Sequence, residues 1–135
     1  NSMRCKMSKL IYVIDDEMEI CELLKITLEA RDFNVQVGYD GESAIKMVKK
    51  KKPDLLIIDL KMPRMNGYEV IAHLKNQTET ADLPIMVLTS LTQGSRKSDD
   101  EWKKSLNVVA FLTKPFEPIQ VVNLVQKIFD AANEK

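Results

Sequence analysis

Leu10-Ile11-Tyr12-Val13-Ile14-Asp15-Asp16 and Leu55-Leu56-Ile57-Ile58-Asp59 are short apolar runs that each finish on acid. Runs of this length, rich in β-branched residues, read as strands buried on both faces of a parallel sheet. A buried strand gains nothing by ending in a carboxylate, because an unpaired charge is costly to bury. Ligands of open α/β sheets bind beyond the carboxyl ends of the strands. If the two strands are neighbours, Asp15, Asp16 and Asp59 converge at that edge, where a cation or a protonated partner relieves their repulsion. The pattern points to a divalent-metal carboxylate site.

Outward from these runs, strand and helix patterns alternate along the whole chain. Ile20, Leu23, Leu24, Ile26 and Leu28 fall at helical spacing between Glu17 and about Arg31. Asn34 to Tyr39 reads as a strand, and Gly41 to Lys52 as a helix with Ala44, Ile45, Met47 and Val48 inward. Its lysines 46, 49, 50, 51 and 52 read as a solvated face. Pro53-Asp54 breaks that helix, and Met62 to Gly67 is a loop by composition. Tyr68, Val70, Ile71 and Leu74 predict a third helix, on which His73 reads as a surface residue. Pro84 to Leu88 predicts a fourth strand ending at Thr89-Ser90. A turn at Gln93-Gly94-Ser95 is followed by a helix from about Ser98 to Leu106, then a fifth strand from Val108 to Leu112. Trp102 on that helix reads equally as core packing or as an exposed partner anchor. An amphipathic helix carrying Ile119, Val122, Leu124, Val125, Ile128 and Phe129 closes the pattern. The expected fold is α/β: a doubly wound, five-stranded parallel sheet with helices on both faces and right-handed crossovers.

Composition narrows the function classes. At 135 residues, 44% hydrophobic and 30% charged, the chain suits one globular domain rather than a disordered segment. Twenty basic residues balance twenty acidic ones, so no net field argues for nucleic acid or an anionic membrane. Apolar runs are too short to span a bilayer, and no signal peptide precedes the first strand. Cys5 and Cys21 form no disulfide framework, which favours a reduced, cytoplasmic setting. Asn1-Ser2 ahead of Met3 reads as an expression remnant, so residues 1–8 are set apart as a leader and 9–132 as the domain.

Four strand ends carry chemistry: Asp15-Asp16, Asp59, Thr89-Ser90 and Lys114. Together they resemble the receiver domain of bacterial two-component response regulators. The resemblance rests on Val13-Ile14-Asp15-Asp16-Glu17, Leu56 to Pro63, Met65-Asn66-Gly67, Val87 to Ser90 and Leu112-Thr113-Lys114-Pro115-Phe116, in that order. It implies the flavodoxin-like strand order 2-1-3-4-5, with the first and third strands adjacent. It further implies Asp59 as phosphoacceptor, Asp16 as direct ligand of Mg²⁺, Asp15 as the acid that helps hold the ion, and a backbone carbonyl of Lys61 as another ligand. Thr89 would be the hydroxyl that moves toward the phosphoryl group, Lys114 the ammonium that grips it, and Phe111 the switch aromatic. Lys114-Pro115 matches a junction that is commonly cis in the family, which proline permits at modest cost.

The implied partners are a sensor histidine kinase or phosphotransfer protein, with an output domain or target that the residues do not name. A phosphorylation-dependent homodimer is consistent with the family, and direct nucleic-acid or membrane contact by this domain is not expected. Three departures from the family pattern stand out: Asn66 where an acid is usual, and Asp32 and Asn107 where glycines are usual. Asn66 is expected to cap a helix, and Asn107 to tolerate left-handed geometry. Lys61 and Leu91 occupy positions that tune dephosphorylation, and neither side chain suits alignment of an attacking water; a long-lived phosphoryl group is expected.

Two other functions compete. A metal-dependent phosphatase with an aspartyl nucleophile also places Asp after an apolar strand, but needs a second acid two residues on, where Lys61 stands. A constitutive interaction module with a vestigial site is disfavoured because every expected site residue is present. With four glycines and no phosphate-cradling loop, a flavin or nucleotide site is not indicated.

Overall fold

A computed structural model of the chain describes residues 8–91 and 94–133, and in it the two apolar runs become neighbours. β1 (Leu10–Ile14) pairs in parallel with β3 (Leu55–Ile58), Ile14 opposite Ile58, so the following acids leave the sheet at one level. β2 (Asn34–Gly38) flanks β1, while β4 (Ile85–Thr89) and β5 (Ala110–Thr113) complete the order β2-β1-β3-β4-β5. The expected parallel sheet and its strand order are both present. Five helices connect the strands: α1 (Met18–Glu29), α2 (Gly41–Lys50), α3 (Gly67–Lys75), α4 (Asp99–Leu106) and α5 (Pro118–Asn133).

Strand alternation splits the core into two layers. Leu10, Tyr12 and Ile14 join Ala44 and Val48 of α2, Val70 and Leu74 of α3 and Phe111 of β5 on one face. Ile11 and Val13 join Leu24 and Leu28 of α1 and Val121, Val125 and Phe129 of α5 on the other. Every residue of β1, β3 and β4 is buried, which is why these strands read as continuous apolar runs rather than as alternating ones.

Local chemistry sets the helix starts. Asp40 caps α2 by accepting from the Ser43 N–H at 2.7 Å. Asn66 and Glu69 form a reciprocal capping box at α3, and Ser98 and Glu101 form another at α4. Such caps are each worth about 1 kcal/mol, and Asn66 keeps the capping function expected of it. Asn107 adopts the left-handed conformation anticipated for it (φ 56°), as does Asp32 (φ 69°). Arg64 does so too (φ 63°), which its side chain gave no reason to expect.

β5 begins at Ala110, two residues later than the apolar pattern suggested. The Val108 N–H is used to close α4, donating to the Lys103 carbonyl at 3.1 Å behind the left-handed Asn107. Of the expected turn at Gln93-Gly94-Ser95, Gln93 lies outside the described residues; Gly94 has positive φ. The leader assigned to residues 1–8 also lies outside them, apart from Ser8. Among the described residues, no helix is long and apolar enough to cross a membrane.

Candidate functional site

β1, β3 and β5 each deliver a polar side chain to the same point beyond the sheet. Asp15, the residue after β1, and Asp59, the residue after β3, are 2% and 3% exposed. Lys114, immediately after β5, is 7% exposed and reaches across to them. Its Nζ donates to Asp15 Oδ2 at 2.8 Å, to Asp59 Oδ2 at 3.0 Å and to Glu17 Oε1 at 2.7 Å. The other oxygen of each buried acid takes a backbone donor: Asp15 Oδ1 from the Glu17 N–H (2.9 Å) and Asp59 Oδ1 from the Lys61 N–H (3.0 Å). All three protons of the ammonium are therefore used, and both buried carboxylates are held at both ends.

Electrostatics shows the strain of this packing. Burial pushes the Asp15 carboxyl up to about 6, against the opposing pull of the Lys114 hydrogen bond. Burial alone would lower Lys114, but its hydrogen bonds to Asp15 and Glu17 outweigh that and leave it above the ordinary lysine range. The two directions belong to one cluster: the lysine is held charged, and for Asp15 the cost of burial outweighs the pull of that charge. Cys21, wholly buried beneath, donates its thiol to the Asp15 carbonyl at 3.3 Å, and burial followed by the Asp15 charge pushes it up to about 11.

Oxygens of Asp15, Glu17 and Asp59 all lie within 4.8 Å of one another. Three carboxylates against one ammonium leave two negative charges, which a divalent cation would cancel. The donors are all hard carboxylate oxygens, the type Mg²⁺ prefers, and the residues fit the ion. Asp16 is exposed and is not one of these three acids. Glu17 is the third member of the group, a residue that the sequence marks only within the motif after β1. Its signal was its adjacency to two acids at a strand end, which periodicity cannot weigh.

Glycine at 67 lets α3 start against the site. A Cβ there would lie 2.3 Å from the Asp59 carbonyl oxygen and 2.7 Å from Leu60 Cα. Thr89 ends β4, fully buried, with its hydroxyl accepting from the Leu91 N–H at 3.1 Å. Its carbonyl accepts from the Lys114 N–H at 2.8 Å, so the two residues are tied through the backbone. Phe111 is 5% exposed and stacks under Trp102, ring centroids 6.0 Å apart and planes 14° from parallel. Trp102 thus packs on the core. The Lys114-Pro115 bond is cis. Beside Lys114 opens a groove of about 370 Å³ lined by Glu17, Ile20, Leu23, Ser90, Pro115 and Phe116. A larger cavity, about 560 Å³, lies between α2 and α3 at the opposite edge of the sheet, away from these acids.

The family model of the response regulator receiver domain matches residues 11–126, nearly the whole described fold. The chain belongs to that family. The response regulator GtcR of Aneurinibacillus migulanus is 38% identical over 120 residues, covering 89% of this chain and 47% of the relative. The alkaline phosphatase synthesis transcriptional regulatory protein PhoP of Bacillus subtilis is 36% identical over 126 residues, covering 90% and 49%. The receiver domain spans about half the length of these curated relatives. Among solved structures, the chemotaxis response regulator CheY4 of Vibrio cholerae superposes with TM-score 0.79 at 27% identity, covering 90% of this chain and 99% of that one. Membership places the receiver domain in phosphorylation-dependent two-component signalling.

Proposed function

We propose that Asp59 is the phosphoacceptor of this receiver domain, loaded by a sensor histidine kinase or phosphotransfer protein in the presence of Mg²⁺. A buried carboxylate gripped by a buried ammonium, with two further acids in reach, is the observation that carries the reading. An Asp59 oxygen attacks phosphorus, the P–N bond of the donor phosphohistidine breaks, and its electron pair returns to the imidazole. Such transfers have loose transition states, so positioning and charge neutralisation do most of the work. The Lys61 N–H fixes the Asp59 carboxylate, and Lys114 exchanges part of its contact with the acids for the new phosphoryl oxygens. Asp15, Asp16, Asp59 and the Lys61 carbonyl are the groups assigned to hold Mg²⁺, with Glu17 close enough to assist. When bound, the ion supplies two positive charges against the incoming phosphoryl group.

Output follows from movement at the end of β4. Thr89 turns its hydroxyl from Leu91 toward the phosphoryl group, and the Phe111–Trp102 pair beside it repacks. The surface of α4, β5 and α5 then differs between two states, a two-state equilibrium biased by a covalent anion. Lengths near twice the matched segment support a receiver carried in a larger regulator, and the transcriptional names of some relatives suggest the kind of output. The balanced charge of this domain supports protein contact rather than nucleic-acid contact, in a cytoplasmic setting. Against the phosphatase alternative, residue 61 is an exposed lysine where a second acid would be needed.

Incubation with Mg²⁺ and a small phosphodonor, followed by intact mass, tests the reading. One phosphate adduct that vanishes in Asp59→Asn is expected. No adduct on the wild type would leave a vestigial module, and steady phosphate release from many esters would favour the phosphatase.

A further inference from the structure

α4 is fastened to β5 at two points that have no place in the phosphoacceptor chemistry. Asp99, the first residue of α4, accepts from Thr113 twice: from Oγ1 at 2.6 Å and from the backbone N–H at 3.3 Å. One turn along the same helix face, Trp102 stacks on Phe111. Residues i and i+3 of a helix therefore meet residues i and i+2 of a strand, each pair sharing one face. Lys97 covers the outer side of the indole, Nζ 4.4 Å from the ring centroid, and the indole N–H donates to Ser95 Oγ at 3.4 Å.

Thr113 is the residue immediately before Lys114. Opposite it in the sheet is Thr89, whose carbonyl holds the Lys114 N–H. A short covalent and hydrogen-bonded path thus runs from Asp99 through Thr113 to Lys114, and from its Nζ to Asp59. A carboxylate with two donors on one residue is a directional clamp, and charged hydrogen bonds of this type are roughly twice as strong as neutral ones.

We propose that Asp99 is a positioning residue: its carboxylate latches the start of α4 to Thr113, so that events at Lys114 set how firmly α4 is held. The proposal rests on the phosphoacceptor reading of Asp59 for its signal, but the latch itself exists without phosphate. In the wild type, a phosphoryl group on Asp59 draws on both Lys114 and Thr89, and the paired ends of β4 and β5 carry Thr113 with them. α4 responds because its first residue is bound there.

Amide hydrogen exchange of α4, with the emission of Trp102 (the single tryptophan) as a second readout, tests this before and after treatment with Mg²⁺ and a small phosphodonor. Without donor, Asp99→Ala and Thr113→Val should each speed α4 exchange roughly tenfold, the size expected for a lost charge-assisted hydrogen bond. Thr113→Ser, which keeps the hydroxyl, should restore wild-type protection, and the Asp99→Ala/Thr113→Val double variant should lose no more than either single. Donor treatment should change α4 exchange in the wild type and little in the unlatched variants. Wild-type protection of α4 in both single variants, additive losses in the double, or no rescue by serine would each overturn the latch. Failure of the wild type to take up phosphate would count against Asp59 alone, since the donor-free comparison still reads the latch.

Discussion

Lys114 Nζ and Asp59 Oδ2 lie 3.0 Å apart with both side chains almost wholly buried, although 55 residues separate them in the chain. This ammonium is the sole basic group in hydrogen-bond contact with Asp15, Glu17 and Asp59 among the described residues. Holding the site together and the proposed grip on a phosphoryl group would therefore draw on the same three protons.

Removing the lysine should expose that dependence. Lys114→Ala leaves two buried acids with no counter-charge, a change that costs about 3 kcal/mol or more in comparable buried pairs. Urea unfolding should show the loss, and millimolar Mg²⁺ should recover much of it, because the ion binds the folded acids and not the unfolded chain. A variant as stable as the wild type without Mg²⁺ would contradict the geometry.

Protonation of Asp15 gives a pH signature. Its carboxyl ionises near 6 in the fold and near 4 when unfolded, so between these values the folded state binds more protons. Stability therefore falls as pH rises from about 4 to 6, by at most about 3 kcal/mol, and then levels. Mg²⁺ affinity should rise over the same window as the competing proton leaves. Asp15→Asn should flatten the stability profile there while weakening Mg²⁺ binding; an unchanged profile in denaturant titrations would reject the assignment.

Glycine at 67 is needed for space rather than for φ. In Gly67→Ala the new methyl would meet the backbone of Asp59 and Leu60, neither of which is a flexible side-chain end. Displacement of the Asp59 carboxylate should slow phosphorylation by a small donor by on the order of tenfold or more. Thermal unfolding should also show a loss of about 1–3 kcal/mol.

Exposed Lys61 and the half-exposed Leu91 flank the site without offering an acceptor to an attacking water. The phosphoryl group on Asp59 should accordingly last minutes or longer, measured by decay of the adduct mass. Lys61→Asn together with Leu91→Gln should shorten that lifetime severalfold. Turnover within seconds in the wild type would refute the argument.

Much of this was written in local sequence. Two apolar runs ending on acid read as buried strands whose acids meet if the strands are neighbours; the family resemblance implies that adjacency, and β1 and β3 are paired. Caps at Asn66 and Ser98 follow from residue type, since each side chain reaches only a few residues along its own chain. The cluster of Asp15, Asp59 and Lys114 was legible because the carboxyl ends of parallel strands lie on one edge whatever the details.

Tertiary structure alone decided which acid neighbours which. Glu17 meets Lys114 although both it and Asp16 are exposed, and only the folded chain brings the Glu17 carboxylate within 2.7 Å of the ammonium. Trp102 could have faced a partner or the core, and only the docking of α4 on β5 placed it over Phe111. The Asp99–Thr113 clamp was invisible for the same reason: periodicity reports which face of an element is apolar, and not the register at which two elements meet. Burial and periodicity are properties of single segments, whereas a hydrogen bond between distant residues exists only once the sheet has fixed their separation.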